Sequence, residues 1–288
     1  MQFTKMHGLG NQYIFVNQLK ENLPEADLKD LAIEVADIYT GIGSDGLILI
    51  GSSEKADLQM RVFNKDGSEA KNCGNGLRCV AKYAYDKGLV AKTTMTIETK
   101  EVTVEATVTV HEKTNNVRLV TVDMGQPFLQ PDQIPVTGVS TTPVVNEDIE
   151  VEGKDYKMTA VSMGNPHVVF FVDDINQAPL TTVGAKVEWH ERFPEGVNVE
   201  FVEVVSEKEL NFRVWERGSG ITQACGTGAC AAVVAAVLNS HSSKGEEVLV
   251  HLAGGDLQIK WDNDGRVWMT GPAEYICEGE FYRRVDRV

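Results

Sequence analysis

The sequence predicts an α+β protein built as two similar domains, each a sheet curled around a central helix. The first observation behind this is an internal repeat. Arg61-Val62-Phe63-Asn64-Lys65 aligns with Arg213-Val214-Trp215-Glu216-Arg217, and Cys73-Gly74-Asn75-Gly76 aligns with Cys225-Gly226-Thr227-Gly228, both at an offset of 152 positions; a looser pair, Gly10-Asn11 and Gly164-Asn165, falls at 154. A duplicated unit therefore runs through most of the chain. Second, strand patterns far outnumber helical ones. Third, the helix expected at Ala229 to Leu238 is small and apolar on every side, so it must be buried all round, as it is when strands wrap it.

The elements follow from local patterns. Phe3 to Asn17 reads as two short strands around the turn Gly8-Leu9-Gly10-Asn11. Leu28, Leu31, Ala32, Val35 and Ile38 recur at helical spacing after Pro24, which predicts an amphipathic helix from Glu25 to Tyr39. Strands are expected at Leu47–Gly51 and Leu58–Asn64, and Val102 to Val110 alternates apolar and polar residues as a strand with one wet face does. Further strands are expected at Arg118–Asp123, Val168–Val172, Val197–Val205, Leu210–Trp215, Val248–Leu252 and Leu257–Trp261. A helix follows each Cys-Gly-x-Gly: Leu77 to Tyr85, closed by Lys87-Gly88, and Ala229 to Leu238. Gln126 to Asp148 holds four of the nine prolines and reads as linker, then loop and edge structure, which puts the domain junction near its start.

Composition excludes several function classes. With 42 acidic against 27 basic residues the net charge is −15, which repels nucleic acid and anionic membrane surfaces. Met1-Gln2-Phe3-Thr4-Lys5 shows no signal-type apolar stretch and Ala229 to Leu238 is too short to span a bilayer, so a soluble cytoplasmic protein is expected. The five cysteines lack a framework spacing, which argues against structural disulfides. Cys73 and Cys79 stand six apart, Cys225 and Cys230 five apart, and the histidines are scattered, so no metal is expected.

The paired cysteines carry the chemistry. At a helix N-terminus the unpaired amides and the macrodipole favour a bound carboxylate and lower a nearby thiol pKa. Glycines in CGNG and CGTG let backbone approach a ligand closely. One cleft between the halves could thus present two sulfurs to opposite faces of one carbon: a thiolate takes a proton, a thiol delivers one, and inversion needs no cofactor. Cys79, Cys230 and Cys277 read as packing residues. His7 and His167 read equally as groups that tune a cysteine or as satisfied turn histidines.

Together, Lys5-Met6-His7-Gly8-Leu9-Gly10-Asn11, Gly41-Ile42-Gly43-Ser44-Asp45-Gly46, Asn64-Lys65-Asp66-Gly67-Ser68-Glu69-Ala70 before the first CGNG, Gly164-Asn165-Pro166-His167, and Glu216-Arg217-Gly218 before Ala224-Cys225-Gly226-Thr227-Gly228 resemble the diaminopimelate epimerase family along the whole chain. The resemblance implies two β-barrel domains, each around a central helix, with the active site between them and the C-terminal strand returned to the first domain. Domains of 1–125 with 274–288, carrying Cys73, and 126–273, carrying Cys225, are then expected. It also implies interconversion of LL- and meso-2,6-diaminopimelate, for lysine and peptidoglycan precursor synthesis, with Cys73 and Cys225 as the two acid/base residues. Gly74, Asn75, Gly226 and Thr227 would hold the reacting carboxylate, and Asn11, Asn64, Asn165, Asn198, Glu216 and Arg217 would position the substrate and grip its distal end.

Read from the residues alone, Asn64 before Asp66-Gly67 is a turn residue, Asn165 before Pro166 a turn dipeptide, and Glu216 with Arg217 a solvated pair. Two departures from the family pattern stand out: Gly46 where many members carry glutamine, and Asn11-Gln12-Tyr13 where an acidic or aromatic pair is frequent. The expected partner is a small molecule, with no cofactor, nucleic acid or membrane, and a homodimer stays open. The alternatives are a proline- or hydroxyproline-type racemase, a non-catalytic amino acid binding module, and a thiol redox protein, the last disfavoured by the lack of C-x-x-C.

Overall fold

A computed structural model describes residues 1–71 and 73–283. The described residues fall into two compact units, one formed by Met1–Val122 with the chain from Gly271 onward, the other by Asp123–Thr270.

In the first unit, Gln2–Gly8 and Asn11–Asn17 form an antiparallel hairpin. Its turn needs Leu9 (φ 56°) and Gly10 (φ 87°) in the left-handed region. Asn11–Asn17 runs parallel to Gly46–Gly51, which pairs antiparallel with Leu58–Asn64. That strand runs parallel to Thr94–Glu98, and the antiparallel strands Thr103–Val110 and Val117–Asp123 complete the series. On the other edge, Glu274–Glu280 pairs antiparallel with Gln2–Gly8. The helix Gly74–Asp86 packs on Gln2–Gly8, Leu58–Asn64 and Thr103–Val110. These strands are not neighbours in the sheet, so the sheet must curl around the helix to reach it. Thr103–Val110 turns Val104, Ala106 and Val108 inward and Thr103, Glu105 and Thr109 to solvent, the alternation a half-wet strand requires.

The second unit repeats this order. Lys154–Ser162 pairs antiparallel with Pro166–Phe171, which runs parallel to Asn198–Ser206 and so on to antiparallel Glu209–Glu216. Glu209–Glu216 runs parallel to Glu247–Leu252, followed by antiparallel Gly255–Trp261 and Val267–Gly271. The helix Gly226–Leu238 packs on strands from both ends of that series, and Ala229 through Ala236 are fully buried. Small side chains let the strands close on it. Each wholly buried valine there contributes about 1.5–3 kcal/mol by leaving water. The expected architecture, sheet-rich α+β with two similar units each wrapped on one helix, is present.

Some boundaries differ from the expectations. The helix expected from Glu25 to Tyr39 is a single 3₁₀ turn, Glu25–Asp27, and an α-helix, Leu28–Ala36. It stops because Asp37 turns to extended backbone and its Oδ1 accepts the amides of Tyr39 and Thr40; Ile38 lies exposed rather than on the apolar stripe. Lys154–Ser162 is a further strand without a clear sequence signal: its first half is largely exposed and its second half fully buried, so no single period covers it. Glu147–Val151 pairs with it as an edge strand beginning inside the proline-rich stretch. The last residues of the expected first domain, 284–288, lie outside those described. Among the described residues no helix is long and apolar enough to cross a membrane.

Candidate active site

Each unit builds the same local device at the start of its helix. Cys73 and Cys225 occupy the N-cap positions with extended backbone, and each sulfur accepts the amide of the helix's third residue, Gly76 at 3.3 Å and Gly228 at 3.4 Å. A thiolate at that place is stabilised by the amide and by the positive end of the helix. The second glycine of each motif lies where a side chain would crowd its neighbours. A Cβ at Gly76 would meet Ile48 Cδ1 at 2.6 Å, and one at Gly228 would meet Glu200 Oε1 at 2.9 Å and Cys225 Sγ at 3.1 Å. Gly74 and Gly226 are the first helical residues, where a helix supplies no acceptor for the N–H, the property an incoming carboxylate exploits.

The surroundings of the two sulfurs differ. In the first unit Asn11 is the hub: its Oδ1 accepts from Asn75 Nδ2 at 3.1 Å and lies 3.8 Å from Cys73 Sγ, and its Nδ2 donates to Asp45 Oδ2 at 2.9 Å. Asp45 also accepts the Gln12 amide at 2.8 Å. The buried guanidinium of Arg78 donates to Asn75 Oδ1 at 2.9 Å and to Pro272 O at 3.2 Å. Tyr13 closes the group; burial, then the adjacent Cys73, pushes its hydroxyl pKa up.

In the second unit a relay reaches the sulfur. Thr227 Oγ1 lies 3.6 Å from Cys225 Sγ and accepts from Asn165 Nδ2 at 3.3 Å. Asn165 Oδ1 sits 3.0 Å from His167 Nε2, and His167 Nδ1 sits 2.7 Å from Glu200 Oε1, with both of these side chains fully buried. Burial pushes the Cys225 thiol pKa well up, and the carboxylates of Glu216 and Glu200 push the same way. Glu216 is itself shifted upward by burial and is bonded to Thr222.

The remaining expected site residues take defined places. Asn64 donates to Ser68 Oγ at 3.0 Å inside the Asp66-Gly67 turn, so its amide serves the turn. Asn198 braces two backbone segments, donating to Pro166 O and accepting the Arg217 amide, both at 2.9 Å. Arg217 Nη1 donates to Glu195 O at 2.7 Å. Gly46 answers the question raised by its sequence: a Cβ there would lie 2.0 Å from Phe63 O, so this backbone holds no side chain. Cys79 and Cys230 are packed inside, Cys79 with its pKa pushed up to about 12 by burial, but Cys277 is exposed on Glu274–Glu280 and is not a packing residue.

Sequence reasoning missed Glu200, Arg78 and Asp45 as members of these networks. Glu200 left a trace: a carboxylate in the otherwise apolar run Val199-Glu200-Phe201-Val202, at 152 positions from Ile48. His167, Glu200 and Cys225 also bring possible metal-ligand atoms within 4.8 Å of one another, a grouping hidden in sequence because three separate elements supply it. Since His167 Nδ1 and Glu200 Oε1 are joined to each other, the arrangement is a hydrogen-bonded relay and not an open ligand set.

A model of the diaminopimelate epimerase family matches residues 3–129 and 159–276. The chain belongs to the diaminopimelate epimerase family. It is 63% identical over 282 residues to the diaminopimelate epimerase of Geobacillus thermodenitrificans, covering 98% of this chain and 97% of that protein. It is 58% identical over 281 residues to that of Bacillus subtilis, with 98% of both covered. It is thus an isomerase by family. Solved structures extend the likeness of fold: a hydroxyproline epimerase from Agrobacterium vitis with bound trans-4-hydroxy-L-proline (TM-score 0.68, 16% identity, 97% of this chain and 91% of that one) and a phenazine biosynthesis protein of the PhzF family from Bacillus anthracis (TM-score 0.67, 18% identity, 98% and 99%). At such identities these neighbours speak for the fold alone.

Proposed function

We propose that this family member interconverts LL- and meso-2,6-diaminopimelate by a two-base proton exchange at one α-carbon, with Cys73 and Cys225 on opposite faces and no cofactor. The observation that carries the reading is the duplicated cap: two sulfurs, each accepting a helix-start amide beside a glycine that makes room for it. The reacting carboxylate is held at the helix starts by Gly74, Asn75, Gly226 and Thr227. There the amides and dipoles meet the charge that develops as the α-proton leaves.

The surroundings of Cys225 suggest how the roles divide. Cys225, buried and facing Glu216 and Glu200, is the sulfur that carries a proton in the resting enzyme. Cys73 is then the thiolate that removes the α-proton from one face while the Cys225 thiol delivers its own to the other. The reverse reaction starts from the opposite protonation state. Asn11 stands beside Cys73, Asn165 reaches Cys225 through Thr227, and both position the substrate; Asn64, Asn198, Glu216 and Arg217 serve its distal amino acid end, where a guanidinium pairs with carboxylate and carboxylate or amide oxygens accept from ammonium. In this reading the halves 1–125 with 274–288 and 126–273 each contribute one sulfur. The enzyme works in the cytoplasm on a precursor of lysine and peptidoglycan; a homodimer is the assembly to test by light scattering.

The experiment incubates reduced protein with LL-diaminopimelate in deuterated buffer without cofactor. Deuterium at one α-carbon with formation of the meso isomer is expected. A protein that leaves diaminopimelate untouched but labels proline sinks the reading in favour of the proline-type racemases that share the fold.

A further inference from the structure

Glu200 is a buried carboxyl group in the Cys225 unit that the duplication does not explain. At the equivalent place the Cys73 unit carries Ile48, and both residues flank the second glycine of their motif. The fold therefore accepts an apolar side chain there. A carboxyl group has been placed instead at zero exposure, with one oxygen, Oε2, lacking a hydrogen-bond partner among the described residues. Burying such a group is unfavourable unless it is bonded, and a polar group half satisfied in a core calls for a functional reason.

The bond it does make supplies that reason. His167 Nδ1 lies 2.7 Å from Glu200 Oε1 and Nε2 lies 3.0 Å from Asn165 Oδ1. An amide oxygen only accepts, so Nε2 carries a hydrogen. One further proton lies between Oε1 and Nδ1, and whether it rests on oxygen or on nitrogen, Nε2–H is retained. With its oxygen engaged, Asn165 presents Nδ2 to Thr227 Oγ1, and the Thr227 hydroxyl keeps its hydrogen for Cys225 Sγ, 3.6 Å away, whenever that sulfur is a thiolate and can only accept. The equivalent of His167 in the first unit is Tyr13, at the 154 offset, which has no carboxylate behind it at position 48.

We propose that Glu200 is a positioning residue for Cys225: it locks His167 with Nε2–H toward Asn165, and so sets the Asn165–Thr227 relay to donate to the sulfur once Cys225 has given up its proton. The proposal rests on the two-base reading above and completes it. At rest Cys225 carries the proton it is to deliver, and the relay together with the Gly228 amide stabilises the thiolate it becomes. No bond beyond that one proton transfer is made or broken.

The test combines a spectroscopic and a kinetic readout. In the wild type, ¹⁵N shifts of the His167 ring should show Nε2 protonated throughout the range in which the protein is folded; a bare Nε2 overturns the proposal without any variant. Glu200→Ile, the residue the other unit uses, should abolish that single tautomer and lower kcat roughly tenfold to a hundredfold with KM little changed, as when an orienting partner is lost. Glu200→Gln can still present an N–H to Nδ1 and should restore both the tautomer and most of kcat. Glu200→Ile at wild-type kcat, or Gln as damaging as Ile, overturns the proposal. Because the tautomer is read without substrate, its failure is distinct from a failure to epimerise diaminopimelate. Should Glu200→Ile not fold, the wild-type spectrum and Glu200→Gln decide alone.

Discussion

The Cys73 and Cys225 half-sites share a backbone and differ in what surrounds the sulfur. Both cysteines cap a helix and accept the amide of a glycine at 3.3 and 3.4 Å. Around Cys73 stand Asn11, Asp45, Asn75 and the buried guanidinium of Arg78; around Cys225 stand Thr227, Asn165, His167, Glu200 and Glu216. The first environment combines a carboxylate, Asp45, with the Arg78 cation; the second holds two carboxyl groups, Glu200 and Glu216, that push the thiol pKa up. Duplication thus supplied one device twice, and substitution around it gave the two sulfurs different surroundings, the difference on which the proposed division into acid and base rests.

The largest expected effect comes from removing either sulfur. Cys73→Ser and Cys225→Ser should each lower kcat by roughly a thousandfold, since a positioned acid or base contributes about 10²–10⁴ and serine does not ionise in this range. Far-ultraviolet circular dichroism should stay unchanged. Turnover near wild type in one variant alone would mean that only one half-site does chemistry.

The glycines sharpen the comparison. A Cβ at Gly76 meets the far end of Ile48, an apolar tip that can rotate away, whereas at Gly228 it meets Glu200 Oε1, Cys225 Sγ and Phe212 Cζ within 3.1 Å. The Glu200 oxygen is tied to His167 and cannot yield without disturbing the relay. Gly228→Ala should therefore reduce kcat about tenfold or more, but Gly76→Ala only a few-fold, partly offset in stability by the roughly 1 kcal/mol advantage of alanine in a helix. Steady-state kinetics of the two purified variants, side by side, checks the ordering; equal losses would mean that the glycines serve only the helix starts.

Much of this was legible in the sequence, and the parts that were not share a cause. The repeat, the strand alternation at Thr103–Val110 and the wholly apolar run after Cys225 are local or strictly periodic signals, and they located both helices and both sulfurs. The relay was not readable, because Asn165, His167, Glu200 and Thr227 meet only after three elements fold together. Asn64 shows the opposite case: its local turn chemistry, with Ser68 and Asp66, holds its side chain in the structure. Cys277 was misjudged since nothing in Glu274–Glu280 distinguishes an edge-facing cysteine from a core one; this strand is largely exposed.

A smaller effect separates the units in their response to pH. Burial raises the Glu216 pKa above that of an unfolded glutamate, near 4.3. The native state then binds more protons than the unfolded one, so this group's contribution to stability is fully present below the unfolded pKa and is lost as pH rises through the folded value. Glu216→Gln abolishes that titration. The difference in Tm between wild type and variant should move in favour of the variant as pH rises from about 4 toward neutrality. A difference independent of pH would show that Glu216 titrates alike in both states. At the equivalent position the first unit carries Asn64, which cannot contribute such a slope.

The smallest effect lies on the surface and again opposes equivalent residues, Arg61 and Arg213. Arg61 is held by two carboxylates: Nη1 and Nη2 reach Glu25 at 2.7 and 2.8 Å, and Nε reaches Glu69 at 2.7 Å. Among the described residues, Arg213 Nη1 donates to the carbonyl of the preceding Phe212, at 2.6 Å, and to no carboxylate. Bidentate geometry and a shared cation lift the Arg61 cluster above an ordinary surface pair, but Glu25 is mostly exposed and salt screens its contribution. Arg61→Ala should therefore cost only about 0.5–1 kcal/mol, and Arg213→Ala less. Urea denaturation at low and at high salt distinguishes the two: the Arg61 cost should shrink with salt, while that of Arg213, a bond to a neutral carbonyl, should stay constant. If both costs are equal and insensitive to salt, the ion-pair cluster contributes nothing that the duplicated backbone does not already provide.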